Sequence, residues 1–143
     1  NTGGKTVSVK IIGLFTLMAY SGIPVLASSS TFPIFDQVFA DIGDDQSIVQ
    51  SLSTFSSHLS KIAQILESAT SKSLVLLDEL GSGTDPDEGE SLAIAILDYL
   101  REKECVVVAT THFNRLKEIA YQSKHTMLAS VEFDLKSFVN GTS

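Results

Sequence analysis

Leu74-Val75-Leu76-Leu77-Asp78-Glu79 is a run of apolar residues that ends in two carboxylates. The run shows no alternation, so it predicts a strand buried on both faces, as in the middle of a parallel sheet. Such a strand delivers its two acids where ligands bind in open α/β sheets. In a nucleotide-hydrolysing enzyme Asp78 would hold Mg²⁺, directly or through water. Glu79 would orient or deprotonate the attacking water. The same hexapeptide also suits an ordinary core strand running into an acidic turn, so the flanking sequence has to separate the two.

Downstream, Gly81-Ser82-Gly83-Thr84 is a tight loop, and Asp85-Pro86-Asp87-Glu88 is a helix start. Asp stands at the N-cap, Pro at N1 and Glu at N3. Leu92, Ala93, Ile96, Leu97 and Leu100 give that helix its buried face. Cys105 to Ala109 predicts a second fully buried strand, which ends in Thr110-Thr111-His112. A His at the tip of a strand beside the acid-bearing one suits sensing of a terminal phosphate; taken alone, a capping or surface His is the commoner case. Arg115 to Tyr121 reads as a short helix. Met127 to Leu135 reads as a last strand, with partial alternation at Val131, Phe133 and Leu135.

Upstream, Asn1-Thr2-Gly3-Gly4-Lys5-Thr6 fits the end of the phosphate-loop pattern G-x-x-x-x-G-K-[ST]. The pattern's first glycine and the residue after it would precede Asn1, so the sequence begins inside the motif, without the strand that leads into it. Gly3 and Gly4 let backbone N–H groups turn toward phosphate oxygens, Lys5 supplies a cation, and Thr6 a hydroxyl for Mg²⁺. A flexible Gly-rich terminus is the plainer alternative. Val7 to Tyr20 is apolar nearly all round and predicts a helix packed beneath a sheet, stopped by Gly22 and Pro24. Ser28 to Thr31 is a polar loop, and residues 35–42 are strand-like, closed by Gly43. Ile48, Leu52, Phe55, Leu59, Ile62 and Leu66 then form a helical stripe. Ser47, Ser51 and Ser53 each suit its N-cap. The polar residues from Ser51 to Ser57 read as a solvated face, or as a helix start with a serine able to reach a phosphate.

Composition bounds the rest. The 143 residues suffice for one domain, with 43% hydrophobic and 19% charged residues, which is globular composition rather than disorder. A net charge of −7 argues against this segment being the main nucleic-acid grip. A single cysteine, Cys105, rules out a disulfide framework and reads as cytoplasmic. No signal peptide is visible. Ile11 to Ala27 is uncharged, but Gly13, Ser21, Gly22 and Pro24 favour a buried helix and turn over a membrane span. The Asn140-Gly141-Thr142 sequon carries no meaning in a cytoplasmic chain. Helices and strands alternate from start to end, so the class is α/β, largely parallel, in one domain over residues 1–143.

Taken together, the motifs resemble the ATPase domain of the MutS family. Asn1 to Thr6 is similar to that family's phosphate loop, and Ser53-Thr54-Phe55 to its signature Ser-Thr-Phe. Leu76 to Glu79 resembles its Walker B. Gly81 to Thr84 resembles its G-x-G-T loop, and Thr110-Thr111-His112-Phe113 its [AT]-T-H-[FY] switch. Ser82, where mismatch-repair members carry Arg, and Asp85 to Gly89 resemble the second branch of the family. Its members lack the mismatch-recognition domain and usually carry a C-terminal Smr nuclease-type domain.

The resemblance implies a P-loop NTPase of ABC type, with a mostly parallel sheet and flanking helices, here truncated at its N-terminal strand and phosphate loop. It implies ATP and Mg²⁺ as cofactors. Asn1, Thr2, Gly3, Gly4, Lys5 and Thr6 would bind the phosphates, Thr6 and Asp78 the Mg²⁺, and Glu79 and His112 would be catalytic. It implies a homodimer in which Ser53, near the start of its helix, completes the partner's site. The whole protein would act on branched DNA, suppressing recombination, or on collided ribosomes, through parts other than this domain. The isolated segment is expected to bind ATP poorly. Two further readings stand beside this one. A transporter ATPase shares Walker B and the switch His, but its Leu-Ser-Gly-Gly signature is not matched by Ser51 to Phe55. A dimerisation module without turnover is the reading from a different functional class.

Overall fold

The computed structural model describes residues 4–43 and 51–131, with residues 51–54 described by backbone alone. The elements are α1 (Lys5–Tyr20), β1 (Gln37–Asp41), α2 (Ser51–Ser68), β2 (Ser73–Leu77), α3 (Pro86–Glu102), β3 (Val106–Ala109) and α4 (Asn114–Gln122). The strands form a parallel sheet in the order β1-β2-β3, with Val38 opposite Leu74 and Leu74 opposite Val106. This is the α/β architecture of a P-loop NTPase-like domain.

β2 is buried along its whole length. Its side chains divide by the strand's period of two. Leu74 and Leu76 meet Val9 of α1 on one face. Val75 and Leu77 join Ile62 and Ile65 of α2 and Ala93, Ile96 and Leu100 of α3 on the other. The unalternating sequence is thus one strand with two hydrophobic cores. Gly13 lets α1 settle onto the sheet, because a Cβ there would lie 2.6 Å from Leu76 Cδ1.

Three expectations need correction. α1 is not buried all round: Thr6, Val9, Gly13 and Thr16 face the sheet, while Val7, Leu14 and Leu17 are exposed. That single face covers β2 on one side of the sheet. β3 is not fully buried, since Val106 is 45% exposed; among the described residues β3 has a neighbour on one side only. Residues 127–131 form no strand, and 132–135 lie outside the described residues. No described strand offers 127–131 a ladder, and Met127 is exposed. No described helix is long and apolar enough to cross a membrane.

The boundaries follow local chemistry. α1 stops at Gly22, whose φ is 71°; the N–H groups of Gly22 and Ile23 donate to the carbonyls of Ala19 and Met18. That pairing satisfies the last carbonyls of the helix. α3 begins as expected, with the Asp85 carboxylate accepting from the N–H groups of Asp87 and Glu88 at 3.0 and 3.4 Å. Ahead of β1, Thr70 donates to Asp36 Oδ2 at 2.6 Å and Ser73 to Oδ1 at 3.2 Å. The far end of α2 is held by Lys103, whose ammonium donates to the carbonyls of Leu66 and Ala69 at 2.6 and 3.0 Å.

Two predictions follow from these braces. Lys103→Met keeps the aliphatic stem but strips the donors from the end of α2; it should lower unfolding free energy by about 1–2 kcal/mol in urea titration. The Thr70 hydroxyl holds the Asp36 carboxyl below the usual carboxylate range; desolvation opposes it, and Ser73 adds to it. A value depressed in the folded state gives stability that is present above the unfolded carboxylate range and lost as pH falls through the folded value. Thr70→Val should therefore flatten the acid limb of stability measured between about pH 6 and pH 2.

Candidate active site

The strand ends, the start of α1 and the loop after β2 share one edge of the sheet. The ladder continues one step past the strands. Asp78 N–H donates to the Asp41 carbonyl at 2.9 Å, and Thr110 N–H to that of Leu77 at 2.9 Å. Leu80 N–H closes on the Thr110 carbonyl at 3.0 Å. Asp78 and the segment Thr110 to His112 are therefore fixed side by side by backbone bonds.

Glu79 has a φ of 51°, in the left-handed region that non-glycine residues rarely adopt. Holding it there costs about 1 kcal/mol, and the surroundings fix it. Its N–H donates to Thr110 Oγ1 at 2.8 Å, and its carbonyl accepts from Ser82 N–H at 3.0 Å. The same Thr110 hydroxyl donates to Asp78 Oδ1. One side chain of β3's extension thus fixes both the carboxylate of one acid and the backbone of the next. Leu80 then plugs into the core, 4% exposed, and anchors the turn from below.

The start of α1 faces these acids. Gly4, at φ 70°, is its N-cap. Lys5 Nζ donates to His112 Nδ1 at 3.2 Å, and His112 Nε2 lies 4.0 Å from Glu79 Oε1. An Nδ1 that accepts from an ammonium leaves the ring proton on Nε2, facing Glu79. Lys5, His112 and Glu79 so form a chain of contacts across the edge. Thr6 is 9% exposed, and its Oγ1 is buried with no hydrogen-bond partner among the described residues. A buried hydroxyl without a partner is uncommon and calls for a ligand of its own.

The sequence-predicted site residues distribute as follows. Gly4, Lys5, Asp78, Glu79 and His112 come together. Thr6 lies beside Lys5 at the start of α1. Asn1, Thr2 and Gly3 lie outside the described residues. Ser53 belongs to α2, but the helix already includes Ser51 and Leu52, so Ser53 is not the residue before the helix. Ser47 and the stripe residue Ile48 lie outside the described residues. Phe55, on the same helix, packs over Gly83, where a Cβ would be 3.5 Å from its ring. Sequence reasoning assigned no task to Thr110, or to Asp41 and His58, which bond at 2.8 Å beside the acids. Asp41 had one legible signal: like Asp78, it is an acid that closes an apolar strand.

The loop Gly81 to Thr84 is seated directly on α3. A Cβ on Gly81 would press into the carbonyl of Gly89, and one on Gly89 into the carbonyl of Gly81. The Phe113 ring lies against both.

MutS domain V matches residues 1–140 of this chain. The chain belongs to that family. It is 59% identical over 138 residues to the endonuclease MutS2 of Alkaliphilus oremlandii, covering 96% of this chain and 18% of that protein. It is 58% identical over 138 residues to the endonuclease MutS2 of Listeria monocytogenes, with the same coverage. The Streptococcus thermophilus protein of that name is 58% identical over 135 residues, 94% of this chain and 17% of the relative. The chain thus spans less than a fifth of the length of the curated relatives it matches. These likenesses place this MutS domain V on the second branch of the family.

The glycine contact yields a prediction. Gly89→Ala should destabilise this MutS domain V by about 1–3 kcal/mol, the usual range for overpacking, because backbone rather than a flexible side chain must yield. Denaturant unfolding measures it, and Gly83→Ala, which meets only Phe55 at ordinary contact distance but is strained at φ 90°, serves as the comparison.

Proposed function

We propose that this MutS domain V binds and hydrolyses ATP with Mg²⁺, as the motor of a cytoplasmic, DNA-associated, homodimeric protein. Branched DNA is the substrate this reading favours for the whole protein, engaged through other parts of it; the collided ribosome is the alternative. The observation that carries the reading is the convergence of Lys5, Asp78, Glu79 and His112 on one sheet edge, with the orphaned Thr6 hydroxyl beside Lys5.

The residues fit the group they are asked to hold. Mg²⁺ in such sites keeps waters and phosphate oxygens as most of its ligands, so one hydroxyl and one carboxylate from the chain suffice. Thr6 and Asp78 would supply them; Thr110 takes Oδ1 of Asp78, and among the described residues nothing is hydrogen-bonded to Oδ2. When bound, the ion neutralises charge that develops on the phosphates.

The chain's own residues do the remainder. Lys5, at the positive end of α1, binds the phosphates, with Asn1, Thr2, Gly3 and Gly4 completing the loop. Glu79 takes the proton from the attacking water. Its left-handed backbone, pinned by Thr110, holds the carboxylate clear of the strand direction and toward His112. His112 carries its Nε2 proton on the Glu79 side, suited to orient that carboxylate and to report the terminal phosphate. Ser53, on α2, completes the site of the partner subunit.

In the full-length protein, Glu79→Gln should keep ATP binding and lose about 10²–10⁴-fold in turnover, since an amide holds the shape but takes no proton. Lys5→Ala should instead weaken binding itself, read by calorimetric titration with Mg-ATP. A Glu79→Gln protein that turns over at the wild-type rate would overturn the assignment.

A further inference from the structure

Asp41 closes β1 on the face that carries the larger core, paired in register with Leu77. Its neighbours in the cleft include Ile62, Leu77 and Ile96. An apolar side chain would suit that position. Instead a carboxylate sits there at 4% exposure, with Oδ1 lacking a hydrogen bond among the described residues and Lys61 Nζ 3.8 Å away. Burying a carboxylate with an unsatisfied oxygen is costly, and stability alone gives no reason to keep it.

Its other oxygen, Oδ2, accepts from His58 Nδ1 at 2.8 Å. His58 is on α2, one turn after Ser53-Thr54-Phe55. The imidazole lies over Gly43, where a Cβ would meet His58 Cε1 at 2.8 Å, so the backbone after β1 is shaped to admit the ring. The Asp41 carbonyl meanwhile accepts the N–H of Asp78. Asp41 therefore touches both the helix that carries Ser53 and the backbone of the Walker B acid. Phe55 against Gly83 braces the same helix on the loop after β2.

We propose that the Asp41–His58 pair is a latch that positions α2 against the sheet edge, so that Ser53 is correctly placed for the partner subunit's site. Asp41 and His58 act here as positioning residues, through α2 and the backbone of Asp78. Among the described residues, Lys61, Asp78 and Glu79 are the other charged groups facing the cleft. The inference rests on the shared-site reading above, and it adds the part of the chain that aims the shared serine.

The test uses the full-length dimer. His58→Ala should leave Mg-ATP affinity within about twofold of wild type and lower kcat by about tenfold or more, the scale of one hydrogen bond to a charged group. His58→Asn should recover most of the rate, because its amide nitrogen stands where Nδ1 does. Asp41→Asn should remain folded, with an unchanged or raised Tm, while losing activity; a purely structural carboxylate would lose both together. The decisive sample is a heterodimer of a His58→Ala subunit with a Glu79→Gln subunit. If the latch serves the partner's site, one site carries both defects, the other carries neither, and about half the wild-type rate remains. The control is a heterodimer of Ser53→Ala with Glu79→Gln. A dead latch heterodimer beside an active control places the effect of His58 within its own subunit and overturns the latch. A wild-type kcat in His58→Ala, or no recovery in His58→Asn, overturns it as well. If the control is also dead, the shared-site reading falls and this inference falls with it.

Discussion

Burial of β2 on both faces is the constraint on which the rest of the structure depends. A strand covered on each side cannot slip by one residue, because every side chain would change core. Leu74 and Leu76 are committed to α1, Val75 and Leu77 to α2 and α3. The register that results fixes where the strand ends, and so the height at which Asp78 emerges. Nothing at the site has to specify that position again. The polar groups at the edge add only local corrections, of which the Thr110 hydroxyl is the most economical. It sets a carboxylate direction and a backbone turn with a single oxygen.

Parts of this were legible in the sequence because they obey short-range or periodic rules. The Leu74–Leu77 run lacks alternation, and β2 is buried on both sides. Asp85, Pro86 and Glu88 take the capping positions their order implies, and Gly22 stops α1. The meeting of Asp78, Glu79 and His112 followed from the rule that parallel strands present their C-terminal ends together. What escaped notice is long-range and polar. Lys103 reaches carbonyls 34 and 37 residues earlier in the chain, and no periodicity announces it. Asp41 and His58 are 17 residues apart on different elements. The errors had a common cause as well. An apolar run predicts burial, but α1 and β3 each have an apolar side with no described neighbour to cover it.

α2 is held at both ends by different parts of the domain. One end is gripped by Lys103 from the α3–β3 turn, and its first turns rest on Asp41 and Gly83 near the acids. A helix fixed at both ends does not bend easily between them; it moves as a body or not at all.

The contact between Gly81 and Gly89 also limits how this sequence can vary over time. Most tight packing can be renegotiated, because a larger residue at one site is offset by a smaller one opposite. Here the obstacle to a side chain at either position is the other's carbonyl oxygen, which every amino acid carries. No second substitution removes it. The two positions therefore offer no compensating pair, and a lineage that leaves glycine at one must remodel the backbone of the loop or of α3. Mutational paths through this corner are closed by the main chain itself, whatever selection acts on the chemistry beside it.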